Sequence, residues 1–330
     1  KYEIEIFALA WGVLLAGFIQ LLIQIAPLRS INRLPIPKLN FKNEGVKKFF
    51  IVIFPAILAG GIIQINLLID TIFASLLETG SPTWLYVSDR LVQFPMGIFA
   101  IGIGTVLLPT LSKLDVISER KIFINTLQKG QRFVLFIGIP SLIGLMFCAE
   151  DIISAIFYRG EFTQLDVFKS SYSLIAFSIG LPFFMLMKVL TPAFFAQKNT
   201  KTPMYVAILS LLLNAALNYI LAFVYGFGHV GIAIGSSISA LISVFILEII
   251  LYKDGFIEIK SIFNRFNCMV LLSSTSLIIF LYFFTSWVNF IELSQIERIL
   301  YLLAEIIISI IVYFSVARFI YKQPLKEILD

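Results

Sequence analysis

Residues 86–113 read YVSDRLVQFPMGIFAIGIGTVLLPTLSK, a long apolar run with an acid and a base, Asp89 and Arg90, side by side near its start. The run is long enough to cross a bilayer, since a spanning helix needs about 20 predominantly apolar residues. A charge in the membrane interior costs at least about 2.5 kcal/mol on insertion scales, so it needs a reason. The stretch therefore predicts a membrane helix and a polar site within it.

The composition of the whole chain also indicates a membrane protein. Of its 330 residues, 59% are hydrophobic and 14% are charged, whereas soluble proteins are about a quarter charged. Two distant cysteines and one histidine form no metal motif, and no glycine-rich phosphate loop or hydrolase motif is present. We therefore predict a protein that is not an enzyme, with no catalytic residue, no cofactor and no nucleic-acid partner.

Apolar segments long enough to span a bilayer recur nine times along the chain. They are too long for the strands of a membrane β-barrel, which alternate over about 10 residues. Helices are the other structure that satisfies its backbone groups in lipid. The sequence thus predicts an all-α, polytopic membrane helical bundle. The nine predicted spans are 6–28, 49–77, 84–111, 133–149, 172–196, 203–227, 229–252, 268–290 and 299–320.

The loops between the spans predict how the bundle is oriented. When alternate loops are assigned to opposite sides of the membrane, one side holds nineteen of the 25 Lys and Arg and the other holds four. The positive-inside rule places the basic loops in the cytoplasm, and with them the C-terminus. One basic loop, 113–133, mixes apolar and charged residues, which fits either an amphipathic helix on the inner leaflet or a solvated connector.

Three charged side chains inside the predicted spans are candidate cavity residues. Asp89 and Arg90 are adjacent and point about 100° apart on a helix, so each needs another partner or water. Pro95 removes a helix hydrogen bond and predicts a kink. Lys188 lies too deep in its span for its amine to reach the interface easily. We interpret the charged, kinked helix as the wall of an aqueous cavity; a salt bridge to another helix is the alternative.

A second set of polar side chains lies at similar predicted depth. Asn214 and Asn218 are four residues apart and share a helix face, while Asp70 and Ser236 occupy neighbouring spans. A carboxylate, two amides and a hydroxyl are hard oxygen ligands of the kind that bind a monovalent cation. From the residues alone, hydrogen bonding between helices is the simpler interpretation.

Several short motifs together resemble the MurJ/MviN lipid II flippase family. They follow the family's order over most of residues 45–240, whereas the last two predicted spans match mainly by position. Any one motif alone would be a weak signal. The motifs are 71-TIFAS-75, Asp89-Arg90-Leu91 with Pro95 and Gly97, 107-LLPTLSK-113, 157-FYRGEFT-163 and 188-KVLTPAFFAQKNTKTP-203.

This resemblance implies the two-lobe fold of the multidrug/oligosaccharidyl-lipid/polysaccharide exporter superfamily. The nine predicted spans would correspond to helices 6–14 of that fold, and the missing N-terminal helices of the same protein would be partners. On this basis 1–28 is the last helix of the N-lobe and 29–48 is the cytoplasmic linker between the lobes. Residues 49–252 then form the six-helix C-lobe, and 253–330 form two groove helices and a cytoplasmic tail.

The resemblance also implies a function in cell-wall synthesis. Members of the family move undecaprenyl-linked lipid II from the inner to the outer leaflet of the bacterial cytoplasmic (inner) membrane by alternating access. Arg90 falls on the family's cavity arginine and Asp89 on the acid of the same motif. With Lys188 they are the expected substrate-binding residues, and membrane lipids are the expected surroundings. A drug or polysaccharide-lipid exporter of the same superfamily is the alternative.

The resemblance gives the second polar set a role as well. A cation site that some members use falls on Asp70, Asn214 and Asn218. By alignment it also includes Ser236. At Asn218 this sequence departs from the sodium-binding form, which has an acid there. Coupling to Na⁺ and driving by the membrane potential without Na⁺ are therefore both open, and no other metal is expected.

Overall fold

The computed structural model describes residues 2–31, 61–62, 64–116, 118–257, 265–285, 290 and 293–320. Within these residues the chain is helical and contains no β-strand. Eight helical segments are long and apolar enough to cross a membrane. The prediction of an all-α membrane bundle is thus confirmed. The remaining predicted span, 49–77, lies partly outside the described residues.

The helices follow one another with short turns between most of them. Two π-helical turns, Met96–Ala100 and Ile220–Val224, extend the helices that precede them, so that Ser81–Ser112 and Lys201–Val224 are each one continuous span. The helices are α1 (Tyr2–Ser30), α2 (64–75), α3 (Ser81–Pro95), α4 (Ile101–Ser112), α5 (Arg120–Phe147), α6 (Ala149–Phe157), α7 (Gln164–Ala196), α8 (Lys201–Tyr219), α9 (Gly228–Lys253), α10 (Arg265–Thr285) and α11 (Gln295–Ile320).

The chain divides into two units, Lys1–Phe54 and Pro55–Asp330. The described part of the first unit is α1, an apolar helix of 29 residues with Pro27 near its end. The described side chains of α1 are nearly all exposed. A helix that is apolar on every face is stable only when lipid or other helices cover it. The predicted linker 29–48 lies mostly outside the described residues.

In the second unit, α7 is the central helix and packs against α3, α4, α5 and α9. Its N-terminus is fixed by a capping box, in which the Thr163 hydroxyl and the Asp166 carboxylate each accept a hydrogen bond from the other residue's backbone N–H. Leu181, Met185 and Phe194 along α7 are fully buried. A helix apolar on nearly every face therefore forms the core around which the others pack.

Small residues let neighbouring helices approach closely. A Cβ atom on Gly231 of α9 would lie 2.7 Å from the backbone nitrogen of Ala222, in the π turn after α8. A Cβ atom on Gly104 of α4 would lie 2.9 Å from the backbone oxygen of Lys188 on α7. Backbones this close are typical of membrane helix packing, where small residues replace the hydrophobic effect as the source of contact.

The structure adds detail to the prediction at two places, and at the first of them the prediction of a surface helix was wrong. The segment 113–133 is not a separate surface helix, because α5 begins at Arg120 and buries Phe123 and Leu127 completely in the core. Its amphipathic pattern reflects packing on the protein rather than on a leaflet. In the span quoted first, the regular α-helix ends at Pro95 and a π turn continues it, as expected for a proline that lacks a backbone N–H.

The N-terminal ends of α3, α7 and α9 are joined by a set of polar contacts that we call the Trp84 network. Its members are Glu78, Trp84, Asp166, Lys169 and His229. Trp84 Nε1 donates to Asp166 Oδ1 at 2.7 Å, and Lys169 Nζ lies 2.6 Å from Glu78 Oε1. His229 Nε2 lies 3.0 Å from the backbone oxygen of Lys169, and its ring packs 4.8 Å from the Trp84 ring. This network fixes the helix ends that support the polar site.

Candidate functional site

Four of the polar residues singled out in the sequence meet where α2, α8 and α9 come together. Asn218 Nδ2 on α8 donates to Asp70 Oδ1 on α2 at 2.6 Å and to Asn214 Oδ1 at 2.9 Å. The side-chain amide of Asn214 reaches Ser236 Oγ on α9 at 2.9 Å. Asn214 and Asn218 are almost wholly buried, at 1% and 0% exposure. The fold thus brings the whole predicted cation set together.

Asn66 is a fifth member that the sequence reasoning missed. Its Oδ1 atom lies 3.0 Å from the Asn214 side-chain amide. Asn66 precedes Asp70 by four residues on α2, the same spacing as Asn214 and Asn218 on α8, and this spacing puts both residues on one helix face. That repeated pattern is the signal that could have revealed it. We call these five residues, Asn66, Asp70, Asn214, Asn218 and Ser236, the oxygen cluster.

The orientation of the Asn214 amide determines which hydrogen bonds the oxygen cluster makes. With Oδ1 toward α2, this amide accepts from Asn218 but places its oxygen 2.9 Å from Asp70 Oδ1 and 3.0 Å from Asn66 Oδ1. With Nδ2 toward α2, it donates to both oxygens but faces the Asn218 Nδ2 donor at 2.9 Å. Asn218 Oδ1 is also buried without a hydrogen-bond partner in the described part of the chain.

Such an arrangement is unusual, because buried polar groups in native proteins are almost always paired. The Asp70 carboxylate and the unpaired Asn218 Oδ1 would be stabilised by a cation, or by a proton on the carboxylate. Carboxylate, amide and hydroxyl oxygens are the ligands that hard cations prefer. The residues present therefore fit a monovalent cation, the metal considered from the sequence.

Gly235 on α9 provides the space that the oxygen cluster needs. A Cβ atom at this position would collide with Asn218 Oδ1. Neighbouring Ser237 turns away and donates its hydroxyl to the Ala176 backbone oxygen at 2.8 Å. The absence of a side chain at Gly235 thus permits the Asn218 amide to lie against α9.

The charged pair of the first-quoted stretch lies on α3, with Arg90 exposed and Asp89 half-buried. Arg90 Nη1 donates to Gln93 Oε1 at 3.1 Å, and Gln93 Nε2 donates to Asp89 Oδ2. On its other side the Arg90 guanidinium lies 4.8 Å from the centre of the Tyr86 ring. In the described residues Arg90 makes no ion pair with another helix, so the salt-bridge alternative has no support there.

Asp89 also connects the two parts of the site electrostatically. Its carboxylate is near enough to Asp70 for the two negative charges to repel each other. The Arg90 group and the oxygen cluster are therefore adjacent parts of one polar region of the second unit.

Lys188 is the third candidate and is less tightly held. Its side chain is exposed on α7, while its backbone packs against Gly104 of α4. Within the described part of the chain its ammonium forms no ion pair, and it does not contact Arg90. The structure thus leaves Lys188 on the surface of the α4–α7 pair, separate from the hydrogen bonds of α3.

Comparison with known proteins identifies the family. The family model described as "Lipid II flippase MurJ" matches residues 1–301, which is most of the chain. The chain belongs to the MurJ lipid II flippase family. The resemblance inferred from the motifs is therefore confirmed, together with the general class of a multi-span membrane transporter family.

Curated MurJ relatives and a solved MurJ structure agree with this result. A "probable lipid II flippase MurJ" of Vibrio cholerae is 44% identical over 247 residues, covering 75% of this chain and 47% of that protein. The Haemophilus influenzae protein of the same name is 36% identical over 313 residues, covering 93% and 61%. The chain thus spans about half the length of the curated MurJ relatives that it matches.

The solved structure is titled "Lipid II flippase MurJ, inward closed conformation". It superposes with a TM-score of 0.72 at 29% identity and covers 89% of this chain and 58% of its own. An outward-facing multidrug resistance MATE family transporter of the MOP superfamily superposes with a TM-score of 0.55 at 16% identity, covering 83% and 65%. The second likeness concerns the fold alone.

Proposed function

We propose that this chain is part of a flippase that moves undecaprenyl-linked lipid II from the inner to the outer leaflet for cell-wall synthesis. Membership of the MurJ family and the names of its relatives support this substrate. The observation that carries the proposal at the level of residues is the exposed Arg90 guanidinium on a membrane helix, which has no ion-pair partner on another helix among the described residues. A cation at such a site suits an anionic head group.

Arg90 would contact the diphosphate of the substrate. A guanidinium carries five N–H donors in a planar fork that matches two phosphate oxygens. Such charge-assisted hydrogen bonds are about twice as strong as neutral ones. Lys188 would add a second positive charge, and Asp89 would act as the counter-charge when the substrate is absent. The polyprenyl tail would stay in the bilayer while the lobes rock between two access states.

We further infer that the oxygen cluster binds Na⁺ and that this binding is coupled to transport. Asp70 would supply the negative charge, and the side-chain oxygens of Asn66, Asn214, Asn218 and Ser236 would supply neutral ligands. The bound ion would balance the negative charge of the Asp70 carboxylate and would give the unpaired Asn218 Oδ1 a partner. Driving by the membrane potential alone is the competing possibility, in which Asp70 would carry a proton instead.

The location we propose is the bacterial cytoplasmic membrane, with the C-terminus in the cytoplasm. The nineteen-to-four distribution of Lys and Arg between the two sides supports this orientation. The assignment of 1–28 to an N-lobe and 49–252 to a C-lobe stays a prediction, as does the pairing of this chain with further N-terminal helices. Labelling of a cysteine introduced at Asp330 by a membrane-impermeant reagent would test the orientation.

The central experiment replaces Arg90 by alanine in the full-length protein. We expect Arg90→Ala to abolish complementation of a flippase-depleted strain and to weaken lipid II binding at least about tenfold, because a charge-assisted contact is lost. Arg90→Lys should retain part of the binding. Arg318→Ala, which removes an exposed arginine at the end of α11, is the matched control and should behave as the parent protein.

Two outcomes would contradict the proposal. Normal growth with Arg90→Ala at unchanged protein level would exclude the role of Arg90. Efflux of a drug or translocation of a polysaccharide lipid, without translocation of lipid II, would favour the alternative exporter function, for which the fold likeness to the MATE family transporter is the only support.

A further inference from the structure

Gln93 forms hydrogen bonds with both charged residues of α3: it accepts one from Arg90 and donates one to Asp89. Its Oε1 accepts from Arg90 Nη1 at 3.1 Å, and its Nε2 donates to Asp89 Oδ2. An amide side chain can do both at once because it has an acceptor at one end of a planar group and two donors at the other. The side chain is half-buried, so these contacts are partly shielded from solvent.

Helix geometry explains why Asp89 and Arg90 need this connection. Adjacent residues point about 100° apart and do not face each other, whereas residues three or four apart do. Gln93 is three residues after Arg90 and four after Asp89, so it is placed to reach both. The sequence reasoning looked for partners on other helices, and the structure supplies one on the same helix.

The Arg90 guanidinium is held from two directions along one face of α3. Tyr86, one turn earlier, supports it with its ring at 4.8 Å, and Gln93, one turn later, accepts one N–H. The cation–ring contact is itself favourable. Since a guanidinium has five N–H donors, four stay available for an anion while its position is fixed.

We propose that Gln93 is a positioning residue of the anion site, which holds the Arg90 guanidinium in a fixed place and uses Asp89 as its anchor. The inference rests on the proposed function, because it assumes that Arg90 binds the anionic head group. Preorganisation lowers the entropic cost of binding, since a long flexible side chain does not have to be ordered when the ligand arrives.

A purely structural role for Gln93 would give a different result. In that case Gln93 satisfies Asp89 and supports α3, and its replacement lowers stability without altering how Arg90 binds an anion. The two roles are separated by a double-mutant cycle with Arg90, because a positioning residue has no effect once the residue it positions is gone.

The experiment measures binding of undecaprenyl diphosphate to the full-length protein in nanodiscs, with uncharged undecaprenol as the reference lipid. Gln93→Met keeps the size of the side chain and removes both hydrogen bonds. We expect it to weaken diphosphate binding about tenfold, as the loss of a hydrogen bond to a charged group implies, and to leave undecaprenol binding unchanged. Adding Gln93→Met to Arg90→Ala should cause no further loss.

Gln131→Met is the matched control for this experiment. Gln131 on α5 is also half-buried and donates to a carboxylate on another helix, Glu248 Oε1 at 3.1 Å, but it lies outside the Arg90 group. Its replacement should leave diphosphate binding unchanged. Gln93→Glu gives an independent test, because a negative charge beside Arg90 should pair with the guanidinium and weaken binding more than Gln93→Met does.

The outcomes separate this inference from the proposed function. Parental affinity in Gln93→Met, or a further loss when it is added to Arg90→Ala, would overturn the positioning role while the role of Arg90 stands. If Arg90→Ala itself binds the diphosphate normally, the proposed function fails at this residue, and the positioning role fails with it. Melting temperatures of all variants, measured in parallel, show whether each remains folded.

Discussion

The oxygen cluster and the Trp84 network are both groups of polar side chains that join helices, but they differ in how well their members are paired. In the Trp84 network each donor meets an acceptor: the Trp84 N–H meets Asp166, and the Lys169 ammonium meets Glu78. In the oxygen cluster Asn218 Oδ1 is buried without a hydrogen-bond partner among the described residues. A fully satisfied network stabilises a fold, whereas an unsatisfied one in a membrane interior is costly.

This difference is the basis for our proposal that the Trp84 network is structural and that the oxygen cluster binds a cation. His229, the single histidine, donates its Nε2–H to the Lys169 backbone oxygen and packs on Trp84, so it is part of the paired network. The oxygen cluster, in contrast, lacks positive charge. The following predictions test the contrast between the two groups, beginning with the largest expected effect.

Gly235→Ala should disrupt the oxygen cluster while the Trp84 network stays intact. The new methyl group would collide with Asn218 Oδ1 and push the amide away from Asp70. We expect a loss of about 3 kcal/mol in stability, typical of overpacking a tight interface, and loss of any response to Na⁺. Thermal unfolding with and without Na⁺ measures both. Gly97→Ala, at a position with open space, is the control and should melt as the parent protein does.

Asp70→Asn should remove the response to Na⁺ without unfolding the protein. An ion that binds the folded state stabilises it by about 2.7 kcal/mol at one hundred times its dissociation constant, and this contribution requires the carboxylate. The parent protein should therefore melt at higher temperature in Na⁺ than in choline, and Asp70→Asn should melt equally in both. A Na⁺ response that persists in Asp70→Asn would place the ion elsewhere.

Trp84→Phe should weaken the Trp84 network and leave the Na⁺ response unchanged. The variant keeps the aromatic packing but loses the indole N–H that Asp166 accepts at 2.7 Å. Hydrogen bonds to charged groups contribute about 1.5 kcal/mol at the lower end of their range, so the melting temperature should fall modestly. If Trp84→Phe reduced lipid II transport while its melting temperature stayed near that of the parent protein, the division between the two groups would be wrong.

Asp151→Asn tests a buried acid outside both groups, on the short helix α6. Burial, followed by the charges of Glu305 and Glu150, raises the pKa of Asp151 to about 8 from its usual 3.8. The folded state therefore holds a proton that the unfolded state has released, and stability falls as pH rises from about 4 through 8. Asparagine removes this loss.

The expected signature is a gain in stability that grows with pH. Relative to the parent protein, Asp151→Asn should gain about 1 kcal/mol between pH 7 and pH 9, with most of the change below pH 8.5. Melting curves across this range measure it. A constant difference between the two proteins at every pH would show that Asp151 does not titrate on unfolding.

Much of the fold followed from the sequence, because long apolar runs in lipid can form only helices. The membrane bundle was predicted correctly, and the π turn after Pro95 interrupts the regular α-helix where a kink was predicted. The start of α5 was not, since its first turns carry charges on one face and pack Phe123 on the other. Hydropathy averages over all faces of a helix and therefore misses a helix that is half polar but packed against protein.

The sequence by itself determined the residue types that a site in lipid requires: four polar side chains at matching depth, and an arginine whose neighbour could not pair with it directly. Only the tertiary structure decided that Asp70 meets Asn218, that Asn66 joins them, and that Gln93 connects Asp89 to Arg90. Depth along a helix can be counted from the sequence because the rise per residue is constant. Which faces of separate helices meet depends on their packing, and small residues such as Gly235 determine how closely they meet.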